Sequence, residues 1–227
     1  HEYTIMDRNV GATTSTLGLV TTQGLQYQFG RKDPFTTSLD YDEEVAVFLR
    51  NVRSDSLPHL FSYEEPLTIA QAIGKPDVFI HRMNLSGGKW CETSEMKYLW
   101  GNPEGQVEYF PSLTVKTIYD PCPIGYKVPP VDALILKMKS YSQYEHGGIY
   151  YAGEEGDNTK LINMPAVHSA YYAYGTSIAY WTSSDFGKPN STFEWGEFGV
   201  MHTYYPGSYT LRYNAFARPG SIRCVKE

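Results

Sequence analysis

The chain has 227 residues, with 25 acidic and 19 basic side chains and a formal net charge of −6 at pH 7. This acidity argues against nucleic-acid binding, which favours basic patches. No run approaches the roughly 20 apolar residues that span a bilayer, so we expect no membrane insertion. The chain opens at His1 without a signal peptide, and we expect it to be a fragment of a longer secreted precursor.

The first half of the chain predicts short strands, one helix and long irregular segments. Over 24–30, apolar and polar residues alternate, which is the pattern of a half-buried strand. A helix is expected over 66–74, with Pro66 in its first turn and Gly74 at its C-terminal stop. The other elements expected here are a short strand at 3–5, a loop at 11–22, and strands at 45–49 and 78–80. Residues 84–110 are expected to form a long ordered loop, or a small subdomain, packed on its aromatic side chains.

The second half predicts a helix followed mainly by strands. Val131, Leu134, Ile135 and Met138 have the spacing of an apolar helix stripe. A turn-rich stretch over 146–158 predicts a hairpin that leads to a surface loop. Strands are expected at 166–173, 177–183, 193–201 and 209–217, and in the last run, 221–226. No repeat, low-complexity tract or linker interrupts the chain, so residues 1–227 are expected to form a single domain.

One stretch combines two prolines, a cysteine and a glycine: TIYDPCPIGYKVP, residues 117–129. Pro121 and Pro123 each restrict their own φ angle and favour extended geometry in the residue before them. We therefore expect Cys122 to lie on a stiff, non-helical segment.

This stretch resembles the C-type-lectin-like domains that end many cell-surface and fimbrillin-type proteins of gut bacteria, which are related in fold to the formylglycine-generating-enzyme family. The resemblance implies an α+β, C-type-lectin-like fold: a twisted antiparallel sheet with two short helices, long irregular loops, and first and last strands that pair near 3–6 and 222–226. The other stretches that carry it, in chain order, are MDRNVGA (6–12), YQFGRKDPF (27–35), LWGN (99–102), YWTSS (180–184) and IRCV (222–225).

The three cysteines allow one disulfide. Cys224, in the last strand-like run, is the expected partner of Cys122, which leaves Cys91 as a partly buried thiol. If the two are bonded, the link closes a loop of about 100 residues and stabilises the fold by roughly 4–5 kcal/mol in the chain-entropy account.

Catalysis finds little support in the sequence. The G-x-S-x-G elbow of hydrolases is absent. The formylglycine-generating enzymes need a reactive thiol pair near the C-terminal part of the fold, whereas Cys224 is the only cysteine beyond residue 122. The resemblance therefore does not extend to enzyme activity, and we expect no catalytic residues.

Two acidic loops are weak calcium candidates, because hard cations take clustered oxygen ligands. Charged loops are usually only solvated, so we expect no cofactor. The triplet Lys188-Pro189-Asn190 carries a cation where calcium-dependent lectins carry a carboxylate ligand. The oxygen-bearing residues of the two loops are Asp40, Asp42, Glu43 and Glu44, and Glu154, Glu155, Asp157 and Asn158.

Exposed aromatic rings can bind a sugar without calcium, by stacking against its apolar face. Trp100 and Trp181 lie inside the recognised stretches and are expected in the core. The ligand-binding candidates, from second-half loops, are Tyr171, Tyr172, Tyr174, Trp195, Tyr204, Tyr205 and Tyr209.

The hypothesis is a non-enzymatic adhesion module at the cell surface of a bacterium, in its outer membrane or a fimbrial tip, that recognises a host or bacterial glycan or protein. The alternatives are a structural domain that packs only against neighbouring fimbrial subunits, and an enzyme of the formylglycine-generating type.

Overall fold

The structure, a computed structural model, describes part of the chain, and the statements below concern that part. The described residues are 3–15, 24–34, 60–62, 67–76, 79–81, 90–91, 98–101, 115–130, 133, 149–152, 162–165, 180–183, 200–202, 210–212 and 219–227.

The described elements are short. One helix is described along its length, α1 (Ile69–Ile73), and Ala133 is also helical, inside the helix predicted around 131–138. The strands are β1 (Gln26–Gln28), β2 (Leu60–Ser62), β3 (Phe79–His81), β4 (Tyr126–Lys127), β5 (Ile149–Ala152), β6 (Ile162–Pro165), β7 (Val200–His202), β8 (Thr210–Arg212), β9 (Pro219–Ser221) and β10 (Val225–Lys226).

The strands pair two by two. Antiparallel ladders join β1 with β9, β4 with β10, β5 with β6 and β7 with β8, whereas β2 and β3 pair in parallel. The predicted strand at 78–80 is confirmed as β3, β5 lies within the hairpin segment predicted at 146–158, and β8 lies within the strand predicted at 209–217. Strand β7 overlaps the strand predicted at 193–201 and extends to His202, whereas β6 lies where no element was predicted. The strands predicted at 45–49 and 166–173 lie outside the described residues.

Helix α1 has a complete capping box. Thr68 accepts a hydrogen bond from the backbone N–H of Gln71, whose side chain in turn accepts from the backbone N–H of Thr68. The helix ends at Gly74, as predicted, because the N–H of this residue closes the last turn onto Ala70. Its start is Ile69 rather than the predicted residue 66, because the cap is Thr68.

Strand β1 is confirmed, but the prediction that it is half-buried is wrong. Gln26 and Gln28 are 1% and 0% exposed, although alternation placed them on the polar side. The Gln28 carboxamide oxygen accepts a hydrogen bond of 2.9 Å from Arg31. A polar side chain can be buried when its hydrogen bonds are made inside the protein. The alternation of apolar and polar residues does not show whether such internal partners exist.

The two ends of the chain lie side by side. Ile5 bridges antiparallel to Val225, and the Met6 N–H donates to the Cys224 carbonyl at 2.9 Å. This confirms the predicted pairing of 3–6 with 222–226. Because β10 also pairs with β4, the N-terminal segment, the C-terminal strand and the end of the proline-rich stretch form one small unit.

The core is centred on three aromatic rings. The ring centroids of Phe29 and Trp100 are 4.5 Å apart, and that of Trp181 lies 5.6 Å from Phe29 and 6.4 Å from Trp100. Trp100 and Trp181 are 1% and 0% exposed, so their prediction as core residues is confirmed. The Trp181 indole N–H donates to the Tyr27 carbonyl at 2.8 Å, which satisfies its one polar group.

Candidate functional site

The proline-rich stretch is covalently joined to the C-terminal strand. Cys122 and Cys224 form a disulfide across 102 positions of sequence, which is the pairing expected from the sequence. Cys91 keeps its thiol and is fully rather than partly buried.

The loop around the disulfide is held by a lysine and an aspartate. The Asp120 carboxylate accepts hydrogen bonds from the backbone N–H groups of Cys122 at 2.7 Å and Val128 at 2.9 Å. Lys116 Nζ lies 3.1 Å from this carboxylate and donates to the carbonyl oxygens of Cys122 and Tyr126, each at 2.7 Å. Burial raises the pKa of Asp120, while the two N–H groups and the Lys116 ammonium act in the opposite direction. The loop is therefore a braced structural element.

A second buried network joins three distant parts of the chain. Arg223 Nε donates to the Asn9 carboxamide oxygen at 2.8 Å, and Arg223 Nη1 donates to the Met6 carbonyl at 3.2 Å. Asn9 Nδ2 donates to the Tyr180 hydroxyl at 2.9 Å. Burial lowers the pKa of Arg223 and raises that of Tyr180. All three side chains are about 1% exposed or less, so the network supports the fold rather than contacting a substrate.

Further polar side chains lie close to this network. Gln26 is paired with Ser221 across the β1–β9 ladder, and Ser221 bridges to Tyr180. Partners in a ladder carry their side chains on the same face, so this face is polar yet buried. Among the described residues, four buried polar atoms of this region have no hydrogen-bond partner: Gln26 Nε2, Thr182 Oγ1, Ser183 Oγ and Ser221 Oγ.

An open groove lies beside α1. We refer to it as the α1 groove, and its volume is about 210 Å³. Its described lining residues are Gly30, Arg31, Lys32, Asp33, Ile69, Ala72, Ile73, Trp90, Ile118 and Tyr119.

Arg31 forms the polar end of the α1 groove. Gly30 adopts a φ of +80°, which turns the chain after β1 and brings Arg31 towards α1. The Arg31 guanidinium donates to the Lys75 carbonyl at 2.8 Å and lies 3.6 Å from the Asp33 carboxylate. It also lies over the Trp90 ring, 5.9 Å from its centroid. This end of the groove is therefore held in one geometry.

The rim of the α1 groove is apolar and exposed. Ile73 is 56% and Ile118 is 77% exposed, although large aliphatic side chains prefer burial. Lys32, which is exposed, makes no ion pair among the described residues. The groove thus combines apolar walls with an accessible ammonium group, and it can bind an apolar group that has an anion beside it.

The structure does not place the ligand and calcium candidates that we derived from the sequence, because all of them lie outside the described residues. Among the residues that are described, no group of three or more His, Cys, Asp or Glu could hold a metal ion. In the same part of the chain, no helix has the length and apolarity to cross a membrane.

Sequence reasoning missed the α1 groove. One signal was available, since Ile69 and Ile73 stand four positions apart and share a face of α1. The other wall, Ile118, comes from a stretch that we interpreted only for its prolines and cysteine. Nothing in the sequence indicated that the two would meet.

Comparison with known proteins found no family model that matches the chain, no similar curated protein and no similar solved structure.

Proposed function

We propose that this chain is a non-enzymatic extracellular binding module of a bacterial cell-surface or fimbrial-tip protein. The observation that carries the proposal is the convergence of the recognised stretches. Phe29, Trp100 and Trp181 come from three of these stretches and share one core. The disulfide between Cys122 and Cys224 joins two more.

The convergence supports a scaffold role for the recognised stretches, and we propose that other segments supply the recognition surface. The recognised stretches supply buried rings, a disulfide and buried polar networks, all of which serve stability. Ligand recognition then belongs to the segments between them, since binding residues are frequently carried on loops that a rigid scaffold positions. The tyrosine candidates lie in such segments.

Two features favour an extracellular, non-enzymatic role over the alternative of a formylglycine-generating-type enzyme. Disulfides persist in oxidising compartments and are rare in the bacterial cytosol. The thiol of Cys224, which that chemistry would need, is consumed in the bond with Cys122. Cys91, which keeps its thiol, is 0% exposed and cannot meet a substrate in this conformation.

For the ligand, we propose a host or bacterial glycan, or a protein, held by the second-half rings. The experiment is a glycan array with the wild-type chain and two double variants, Tyr171→Ala/Tyr172→Ala and Tyr204→Ala/Tyr205→Ala. Tyr3→Ala is the matched control, because Tyr3 lies in the described scaffold. We expect at least one double variant to lose binding while the control retains it.

Glycan binding that survives every tyrosine and Trp195 substitution would overturn the proposed surface. Two reactive thiols in the native protein, found by thiol titration, would overturn the non-enzymatic assignment.

A structural role, in which the domain packs against neighbouring fimbrial subunits, has one observation in its favour. Two large apolar side chains three positions apart are exposed: Val115 at 66% and Ile118 at 77%. Exposed apolar surface can mark a protein contact. Sedimentation of the wild-type chain and a Val115→Ser variant tests this role, which predicts self-association that the variant weakens.

A further inference from the structure

We infer that the α1 groove is a docking site for a protein segment that carries an apolar side chain next to a carboxylate. The described lining of the α1 groove includes none of the tyrosine candidates, and the inference does not depend on glycan binding.

The size of the groove favours a side chain over a whole ligand. Pockets for drug-sized molecules measure roughly 300–1,000 Å³. The α1 groove measures about 210 Å³, which accommodates one or two apolar side chains of a partner.

The walls of the groove favour an aliphatic group over a sugar. Ile69, Ala72 and Ile73 line it from α1, and Ile118 lines it from the opposite side. Sugar stacking needs an accessible aromatic face, but Trp90 is only 2% exposed and the Arg31 guanidinium lies over its ring. Tyr119, the other ring of the described lining, is partly buried. Apolar contact with the isoleucines is therefore the main interaction that the groove offers.

The charge at the groove favours an acidic partner. Arg31 and Lys32 carry two positive charges against the single carboxylate of Asp33, in a chain whose net charge is −6. Asp33 is paired with Arg31, and the exposed Lys32 has no ion-pair partner among the described residues. A carboxylate beside the apolar side chain of a partner would complement this charge and direct the orientation of the segment.

The groove is also preorganised. The capping box holds the start of α1, and the Asp120 N–H donates to the Thr117 carbonyl at 3.2 Å, which closes the turn that carries Ile118. Arg31 is held at the other end by the Lys75 carbonyl. Binding to preformed walls loses less conformational entropy than binding to mobile ones.

The test is a titration of the isotope-labelled chain, followed by amide NMR shifts, with three blocked peptides: acetyl-Glu-Leu-Leu-Glu-amide, acetyl-Lys-Leu-Leu-Lys-amide and acetyl-Glu-Ser-Ser-Glu-amide. We expect the first peptide to shift the amides of Lys32, Ile73 and Ile118. The other two should bind at least about fivefold more weakly, because the second peptide lacks the carboxylates and the third lacks the apolar side chains.

Three variants sharpen the test. Ile118→Ser should weaken the first peptide about five- to tenfold, whereas Lys32→Glu should reverse the preference between the acidic and basic peptides. Ile124→Ser is the matched control, since Ile124 is 98% exposed and does not line the groove, and it should leave binding unchanged. These three side chains are exposed, so all variants are expected to fold.

Equal binding of the acidic and basic peptides would overturn the inference, as would an Ile124→Ser effect as large as that of Ile118→Ser, or the absence of shifts at the groove. Tyrosine variants that abolish glycan binding should leave the peptide titration unchanged, so failure of one proposal can be told from failure of the other.

Discussion

Removal of the disulfide tests the proposed role of the braced loop most directly. The bond between Cys122 and Cys224 closes a loop with a sequence separation of 102. In the chain-entropy account, a loop of this length restricts the unfolded chain enough to stabilise the native state by about 4.7 kcal/mol. For a chain of this size, that loss would lower the melting temperature by roughly 10–20 °C.

The proposed variant is Cys122→Ala/Cys224→Ala, and its matched control is Cys91→Ala. Cys91 and Cys224 are both 0% exposed, so the control reports the cost of deleting a buried sulfur without opening a loop. We expect urea unfolding to give a free energy of unfolding about 4–5 kcal/mol lower for the double variant, beyond the cavity cost seen in the control. A difference below about 1 kcal/mol between the two would refute the reasoning, because the bond would then constrain little of the unfolded chain.

Three further substitutions probe packing, the buried network and pH dependence. Gly220→Ala should destabilise the fold by about 1–3 kcal/mol in urea unfolding, because the added Cβ would lie 2.6 Å from the Trp181 indole nitrogen; an unchanged midpoint would contradict this contact. Asn9→Ala should cost about 1–3 kcal/mol in the same assay, since it leaves the buried Arg223 Nε without its 2.8 Å acceptor, and a neutral effect would mean that another group replaces it. Burial raises the pKa of Tyr27 to about 12 from 10.0, so its contribution to stability is complete below about pH 10 and is lost as the pH rises towards 12. Between pH 9 and pH 11 the wild-type chain should lose about 1.4 kcal/mol more than Tyr27→Phe, and parallel losses would argue against this assignment.

Local features were predictable from local chemistry. Glycine is common at the end of a helix, which predicted the end of α1 at Gly74, and the alternation around Tyr27 predicted β1. The pairing of the chain ends and the disulfide of Cys122 followed from the lectin-like resemblance and the cysteine count. The predictions of the helix end and of β1 succeeded because neighbouring residues carry the signal, whereas the two long-range pairings depended on the resemblance.

The buried polar networks and the α1 groove were not predictable in this way. Asn9 and Arg223 are separated by 214 positions, and no window contains both. The burial of Gln26 depends on segments that pack over it from elsewhere in the chain. The rim of the groove contains Ile73 from α1 and Ile118 from the turn at 117–120. In the sequence, neither residue differs from an ordinary apolar residue.

The amino-acid sequence by itself determined the end of α1, the extended backbone of β1 and the burial of Trp100 and Trp181. Together with the resemblance, it also indicated that Cys122 pairs with Cys224. Only the tertiary structure decided that the glutamine face of β1 is buried and that three isoleucines line a groove together with Lys32. The physical reason is that backbone preference is set within a few residues, whereas burial and surface shape depend on segments that are distant in sequence and are brought together by the fold.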